Sequence, residues 1–406
     1  MSAAHPDDDI EAADMPLVVA EIFDADRLET ARRAYPGPAE FIGTPQIISR
    51  LLAQNTRHRG LSSVYNELLG GAGQQIYVRE CPSLEGRRLA DIAACFDQAV
   101  LLGVAHHGRL DALYANNEQT VAAADRLAFI AREFEDCTPT REPESNAAGR
   151  IHAASDTEVE ARRRRVLVLG WNQKVPSLLA EFDAYTRERV EVDVFSLLAV
   201  DERETILRRK GVMLNHARVR HIEGDLTSHY EMTRLDVSGY DSIVLVASDW
   251  LGSADAADAR MLLGYLVLSQ VLENVETKPA VVVESMSTDN ANLFDQANVE
   301  RLVSPDLQAS MLTQVALRRE LHWVLEELFS AGGAEIEFRH IDRLGLADTS
   351  ESFDTLRRAR AAHGEVLLGT LHRSDESMPR LLLNPEDKQA PIALSARDEL
   401  VVLAIG

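Results

Sequence analysis

The sequence predicts an α/β protein. A doubly wound parallel sheet is followed by a small α+β C-terminal subdomain, and the whole unit is repeated twice with its first copy incomplete. Three observations carry this expectation. The chain resembles itself at a nearly constant shift; its second half alternates apolar β-branched runs with polar helical patterns; and each copy closes in short β-rich stretches.

The repeat comes first because it sets the frame. Pro279-Ala-Val-Val-Val-Glu284 resembles Pro16-Leu-Val-Val-Ala-Glu21, a shift of 284 − 21 = 263. Pro45, Ile47, Leu51, Leu52 and Gln54 match Pro305, Leu307, Met311, Leu312 and Gln314 at 314 − 54 = 260, and this shift continues to Leu68 and Leu328. The matched apolar positions fall at helical spacing, so each copy is expected to hold one long amphipathic helix. Further on, residues 100–103 resemble 366–369, Asn116 resembles Asn384, and residues 124–131 resemble 397–404.

The second copy has more in it. Residues 166–170, 190–195, 219–222 and 242–247 are apolar runs of the kind found in buried parallel strands, with helical patterns such as 201–210 between them. Adding the strand at 280–284 and a short one near Leu302 gives a six-stranded sheet of Rossmann type. The first copy begins at the equivalent of its fifth strand. The expected organisation is therefore a partial Rossmann-type half with a long pairing helix (1–70), a small subdomain (71–135), a linker (136–164), a complete Rossmann-type domain (165–330) and a second small subdomain (331–406). The basic run at 162–165 reads as the solvated end of the linker. A half sheet leaves an open parallel edge. The chain is thus expected to be a fragment, or to receive the missing half from another chain.

The net charge of −23 argues against nucleic acid and against anionic membrane surfaces, and leaves either cations as partners or simple solubility as its meaning. Cys81, Cys95 and Cys137 lack metal-ligand spacing and suit a reducing, cytoplasmic compartment. The first 14 residues have no apolar core, and the longest apolar run, 261–272, is too short to span a bilayer.

A Rossmann-type sheet raises the question of a dinucleotide. After the first strand stands Gly170-Trp-Asn-Gln-Lys174-Val-Pro176, with one glycine where the fingerprint needs three. The second strand ends at Ser196, without the ribose-binding acid, so NAD is not the expected cofactor. Lys174 could face an anion at the following helix. Asp225, in Gly224-Asp-Leu-Thr227, lies where ligands sit in this fold and could take a ribose or a cation, or simply cap a helix. Asp249, Asp255 and Asp258 could contribute oxygen ligands to calcium, or act as acids complementing a helix dipole. His106-His107 reads as a hairpin turn. No Ser, Cys or His stands in a nucleophile setting, so the chain reads as a non-enzyme.

Several of these stretches together resemble the cytosolic regulator-of-potassium-conductance (RCK, TrkA-like) domains of the CASTOR/POLLUX family of ion channels. Residues 49–54, Pro82-Ser-Leu-Glu-Gly86 with Leu89, the non-glycine turn of 167–176, residues 298–305 and residues 319–329 carry the resemblance, which covers about Pro16 to Ile405. It implies modules that pair through the long helix, a homo-oligomer forming a tetrameric gating ring, calcium as a candidate ligand, and a pore-forming membrane region as partner. The expected function is a ligand-sensing gating module of a potassium or other cation channel. Pore helices and a selectivity filter are lacking in these residues. A stand-alone Trk-like regulatory subunit that binds a nucleotide remains the alternative.

Overall fold

A computed structural model describes residues 15–24, 27–70, 73–106, 109–112, 119–143, 163–186, 188–248, 253–287, 289, 291–294, 299–329, 333–373 and 379–405. Asn116, His107 and Asp249 lie outside the described residues.

The first module opens with β1 (Val18–Glu21), α1 (Leu28–Ala34), β2 (Ala39–Ile42), α2 (Thr44–Arg57) and α3 (Leu61–Leu69). Its small subdomain follows as β3 (Gln75–Glu80), α4 (Leu89–Ile92), β4 (Val100–His106), β5 (Arg109–Ala112) and β6 (Arg126–Ala131). The second module contains β7 (Arg163–Leu169), α5 (Val175–Ala184), β8 (Arg189–Ser196), α6 (Val200–Arg209), β9 (Arg218–Glu223), α7 (His229–Thr233) and β10 (Ser242–Leu245). It continues through α8 (Ala254–Val271), β11 (Ala280–Ser285), β12 (Val299–Val303), α9 (Ser304–Leu317) and α10 (Leu321–Phe329). The second small subdomain comprises β13 (Ala334–His340), β14 (Thr349–Ser352), α11 (Phe353–Ala361), β15 (Val366–His372), β16 (Arg380–Leu383), β17 (Pro391–Leu394) and β18 (Glu399–Ile405).

The six-stranded sheet has the order β12-β11-β10-β7-β8-β9, all parallel, with the switch point between β7 and β10. This is the doubly wound sheet the apolar runs predict; β7 and β10 are buried on both faces, as a sheet covered by helices on each side requires. In the first module, β1 and β2 pair parallel in the same way as β11 and β12, and among the described residues β1 has no second neighbour. The small subdomains repeat one antiparallel design, β3-β6-β4-β5 and β13-β18-β15-β16, and both register shifts fall at the equivalent Leu101/Gly103 and Leu367/Gly369. Gly369 is obligatory there, since a Cβ would lie 2.1 Å from Leu382 O.

Two expectations need correction. The long pairing helix is two helices. α2 ends at His58, which is extended, and Gly60 is left-handed (φ +96°) before α3 begins; α9 and α10 break at the equivalent place, Arg318. The apolar spacing continues across the break because the helices on either side of it contribute to one core. The linker expected to run to Arg164 stops earlier, because Arg163 and Arg164 already belong to β7. Arg164 is buried, donating to Glu188 (3.0 Å) and to Thr56 O (3.1 Å).

The matched helices meet inside one chain rather than waiting for another. Gln54 Nε2 donates to Leu328 O (3.4 Å), and Gln314 Nε2 donates to Leu69 O (3.0 Å) and Leu68 O (3.4 Å). Since 314 − 54 and 328 − 68 both equal 260, these bonds exchange under an approximate two-fold axis. Tyr65 and Phe329 meet edge to face, centroids 5.2 Å apart. One apolar core runs through α2, α3, α9, α10, the small subdomains and the α5 side of the large sheet, and a second lies between that sheet and α8.

Candidate ligand cleft at the switch point

The carboxyl ends of β7 and β10 diverge where the order of the sheet reverses, and ligands of this fold sit in that crevice. β7 ends in Gly170, held at φ +105° with a virtual Cβ only 2.7 Å from Val246 O. The tight turn therefore keeps its first glycine. The place of the next fingerprint glycine is taken by Asn172, which is buried. Its Nδ2 donates to Ala247 O (2.8 Å) and Glu284 Oε2 (3.0 Å), and its Oδ1 accepts from Lys174 N (2.9 Å).

Lys174 does not point freely at an anion. Its Nζ pairs with Glu284, a fully buried carboxylate that also accepts from Ser304 Oγ (2.8 Å), and its carbonyl accepts from Ser49 Oγ of α2 (3.0 Å). The amide of Asn172 and the ammonium of Lys174 thus fill the floor on which a pyrophosphate would rest. Glu284 and Ser304 went unrecognised as site residues. Glu284 was visible as the end of the repeated Pro-to-Glu strand, but nothing local announces a partner 110 positions away.

Above this floor lies a cleft of about 420 Å³, lined by Asn172, Gln173, Lys174, Ser248, Ser253 and Gln308 together with apolar Phe23, Pro45, Ala247, Ala254, Ala257 and Met286. Phe23 and Pro45 come from the first module, so the cleft reports on how the two modules sit together. Its described charge, Lys174, is neutralised in place. A weakly charged ligand with amide or hydroxyl contacts fits this lining better than a free phosphate does.

The remaining sequence-derived residues are scattered. Asp225 follows β9, where its Oδ1 accepts from Thr227 N (2.9 Å), Thr227 Oγ1 (2.7 Å) and Arg260 Nη2 (2.7 Å). Burial works against its charge, but the Thr227 bonds and Arg260 outweigh it and hold the carboxyl below its ordinary value. Asp258 is buried on α8 and braces the end of β11, accepting from Met286 N (2.9 Å) and Ser285 Oγ (3.3 Å). Asp255 is exposed in the first turn of α8, whose cap is Ser253 accepting from Ala256 N (3.2 Å). Lys174 therefore lines the cleft and Gly170 forms the tight turn before it, whereas Asp225 is spent on its own loop and on α8. Among the described residues no group of three His, Cys, Asp or Glu side chains is placed to hold a metal ion.

Comparison with known proteins agrees with this architecture. Residues 45–146 match the family described as Castor and Pollux, part of voltage-gated ion channel. The probable ion channel CASTOR of Oryza sativa subsp. japonica is 24% identical over 95% of this chain and 46% of its own length; the ion channel CASTOR of Lotus japonicus is 23% identical over 95% and 48%. The chain is homologous to the CASTOR and POLLUX ion channels. It spans about half the length of these curated relatives. In three dimensions it shares the fold of the human SLO3 gating ring, with a TM-score of 0.69 at 12% identity over 95% of this chain and 81% of that one. No described helix is long and apolar enough to cross a membrane.

Proposed function

We propose that this chain is the ligand-responsive regulatory module of a CASTOR/POLLUX-like cation channel, acting from the cytoplasm on a pore-forming membrane region. The observation that carries the reading is the paired, pseudo-symmetric module architecture in a chain homologous to those channels over 95% of its length. The switch-point cleft is lined from both modules, so a ligand there couples to their relative placement. That is the physical requirement for transmitting binding as motion. Four copies in a ring would sum such displacements around a pore.

Calcium, which only the family resemblance suggests and for which the described cleft lining supplies no carboxylate, is tested at Asp255, exposed in the first turn of α8 next to the cleft-lining Ala254, and NADH is the counter-test. The experiment titrates the chain with each ligand, in magnesium-containing buffer, while sedimentation reports its assembly. The expected outcome is a tetramer whose sedimentation shifts with calcium, the shift weakening in Asp255→Ala. A monomer that binds NADH and ignores calcium would replace this reading with the nucleotide-binding, Trk-like subunit.

A further inference from the structure

The break between α2 and α3 borders a cavity of about 590 Å³ at the amino ends of β7, β10 and β11, opposite the switch-point cleft. Residues 56–59 of the first module form one wall. Arg164 and the residues leading into β10 and β11 form a second, and Phe338, His340, Arg373 and Glu399 of the second small subdomain a third. In a chain of net charge −23, the described lining carries five Lys and Arg side chains against two carboxylates, Asp241 and Glu399. Three of the five have carboxylate partners. Arg57 pairs with Glu335 (2.5 Å) and Glu188 (3.4 Å), Arg164 with Glu188 (3.0 Å), and Arg373 with Glu399 (2.6 Å), which His340 also approaches (3.1 Å). Arg59 and Lys278 have none among the described residues. Arg59 Nη2 donates instead to Lys278 O (2.9 Å), and Arg373 Nη2 donates to Arg59 O (2.7 Å), so main-chain bonds gather three cations around one carboxylate.

The two-fold relation shows that this surplus is particular to the cavity. Arg319 is the counterpart of Arg59, and Glu40 of β2 is the counterpart of Glu300 of β12, both at a shift of 260. Arg319 pairs with Glu40. Glu300 accepts from Gly60 N (2.7 Å) and Ser62 Oγ instead, which leaves Arg59 without the carboxylate that its counterpart has. The wall is also short of acceptors. Arg57 Nε and His58 Nε2 are shielded from solvent and lack hydrogen-bond partners. Burial, followed by Arg57, Arg164 and Arg339, pushes the His58 imidazole well below its ordinary pKa, the mark of a positive potential at this wall.

The geometry points to a binding site for a phosphate-bearing small molecule, held by Arg59, Lys278 and Arg373. Guanidinium and ammonium groups that converge on one cavity are suited to phosphate oxygens, which accept several charge-assisted hydrogen bonds at once. The charge matches as well: Arg59 and Lys278 supply two cations without carboxylate partners, and a phosphate monoester is a dianion. Asp241 and Glu399 oppose a polyanion such as nucleic acid. The volume leaves room for more than the phosphate group, so the site takes the ester of a compact polar molecule. Because its walls come from both modules and from the second small subdomain, such a ligand ties the three together. The inference rests on this side-chain arrangement and not on the channel reading, so either can fail alone.

The test titrates the full chain with glycerol 2-phosphate in calcium-free buffer at about pH 8, above the second pKa of about 6 of a phosphate monoester. Sodium chloride holds the ionic strength fixed, and hydrogen exchange locates the effect. The expected result is saturable binding that slows amide exchange in residues 56–61 and 277–281 and leaves residues 170–176 at the switch-point cleft unchanged. Arg59 and Lys278 are exposed, so Arg59→Gln and Lys278→Gln leave the fold intact. Each should weaken binding about tenfold, the effect of losing one charge-assisted contact. Asp255→Ala, the variant that tests calcium, should leave phosphate binding unchanged. No saturable binding would overturn the proposal. So would equal affinity in the variant that combines Arg59→Gln with Lys278→Gln, or protection confined to residues 170–176.

Discussion

At Lys174 the chemistry of a single pair decides what the cleft can bind. Glu284 is fully buried and the Lys174 side chain is 13% exposed, so neither can trade its partner for water at little cost. Lys174→Met should therefore destabilise by about 3 kcal/mol, because it strands a carboxylate that Asn172 and Ser304 only partly satisfy. Urea denaturation measures the loss, and Glu284→Gln in the same background should recover part of it. Lys388 shows the opposite case, a buried amine without a carboxylate in hydrogen-bond contact. Its Nζ donates to Phe96 O (2.8 Å) and Ala99 O across the junction of the small subdomains. Burial first, and then nearby Arg357, push its pKa down from 10.5 to about 7. Above about pH 7 the folded chain has released this proton, while the unfolded chain holds it to about pH 10.4. The unfolded state thus binds more protons in that window, and the contribution of this site to stability rises with pH. Lys388→Met removes the dependence. The stability difference between the protein and this variant should shift in the protein's favour from pH 7 to pH 10, as denaturation at stepped pH will show.

Among the elements, the break between α2 and α3 controls how the modules meet. Gly60 sits at φ +96°, and a Cβ there would come within 2.6 Å of Leu371 Cδ2 of the second small subdomain. Gly60→Val should cost about 2 kcal/mol, from backbone strain and displacement of Leu371, measured as a lower urea midpoint. This break shows where the sequence stops being legible. The central strands β7, β10 and β11 were readable because Val, Ile and Leu buried on both faces leave a continuous apolar signature, whereas β8 and β9 interleave Val and Ile with Arg, Glu, Asp and His. The pairing of α2 with α9 was half readable: the repeat named the residues, but periodicity alone could not say that their partners lie in the same chain. The helix break was hidden because apolar spacing continues on either side of residues 58–60. The cleft was readable at Lys174, which lines it, and at Gly170 only as the tight turn that leads to it. It was not readable at Glu284, whose role depends on two strand ends meeting across the switch point.

For the whole molecule, the question is whether two modules built alike also fold alike and separately. The packing says they do not. Leu51 of α2 is fully buried in a core that also holds Val282 of β11, Val315 of α9 and Leu403 of β18. Each module leaves an apolar helix face that only the other covers, so an isolated module would expose the surface whose burial stabilises it. Truncating Leu51 to Ala removes side-chain contacts from this shared core and should cost about 3 kcal/mol. Because the core is common to both modules, calorimetry should show one transition that moves to lower temperature as a unit. Hydrogen exchange should quicken in β7 and β18 as well as in α3. A split into two transitions, with only the first module's moving, would mean that the modules are docked surfaces and not one cooperative body. The interface would then be free to slide, and a ligand at the switch-point cleft would have to act by shifting a loose joint rather than by biasing a stiff one.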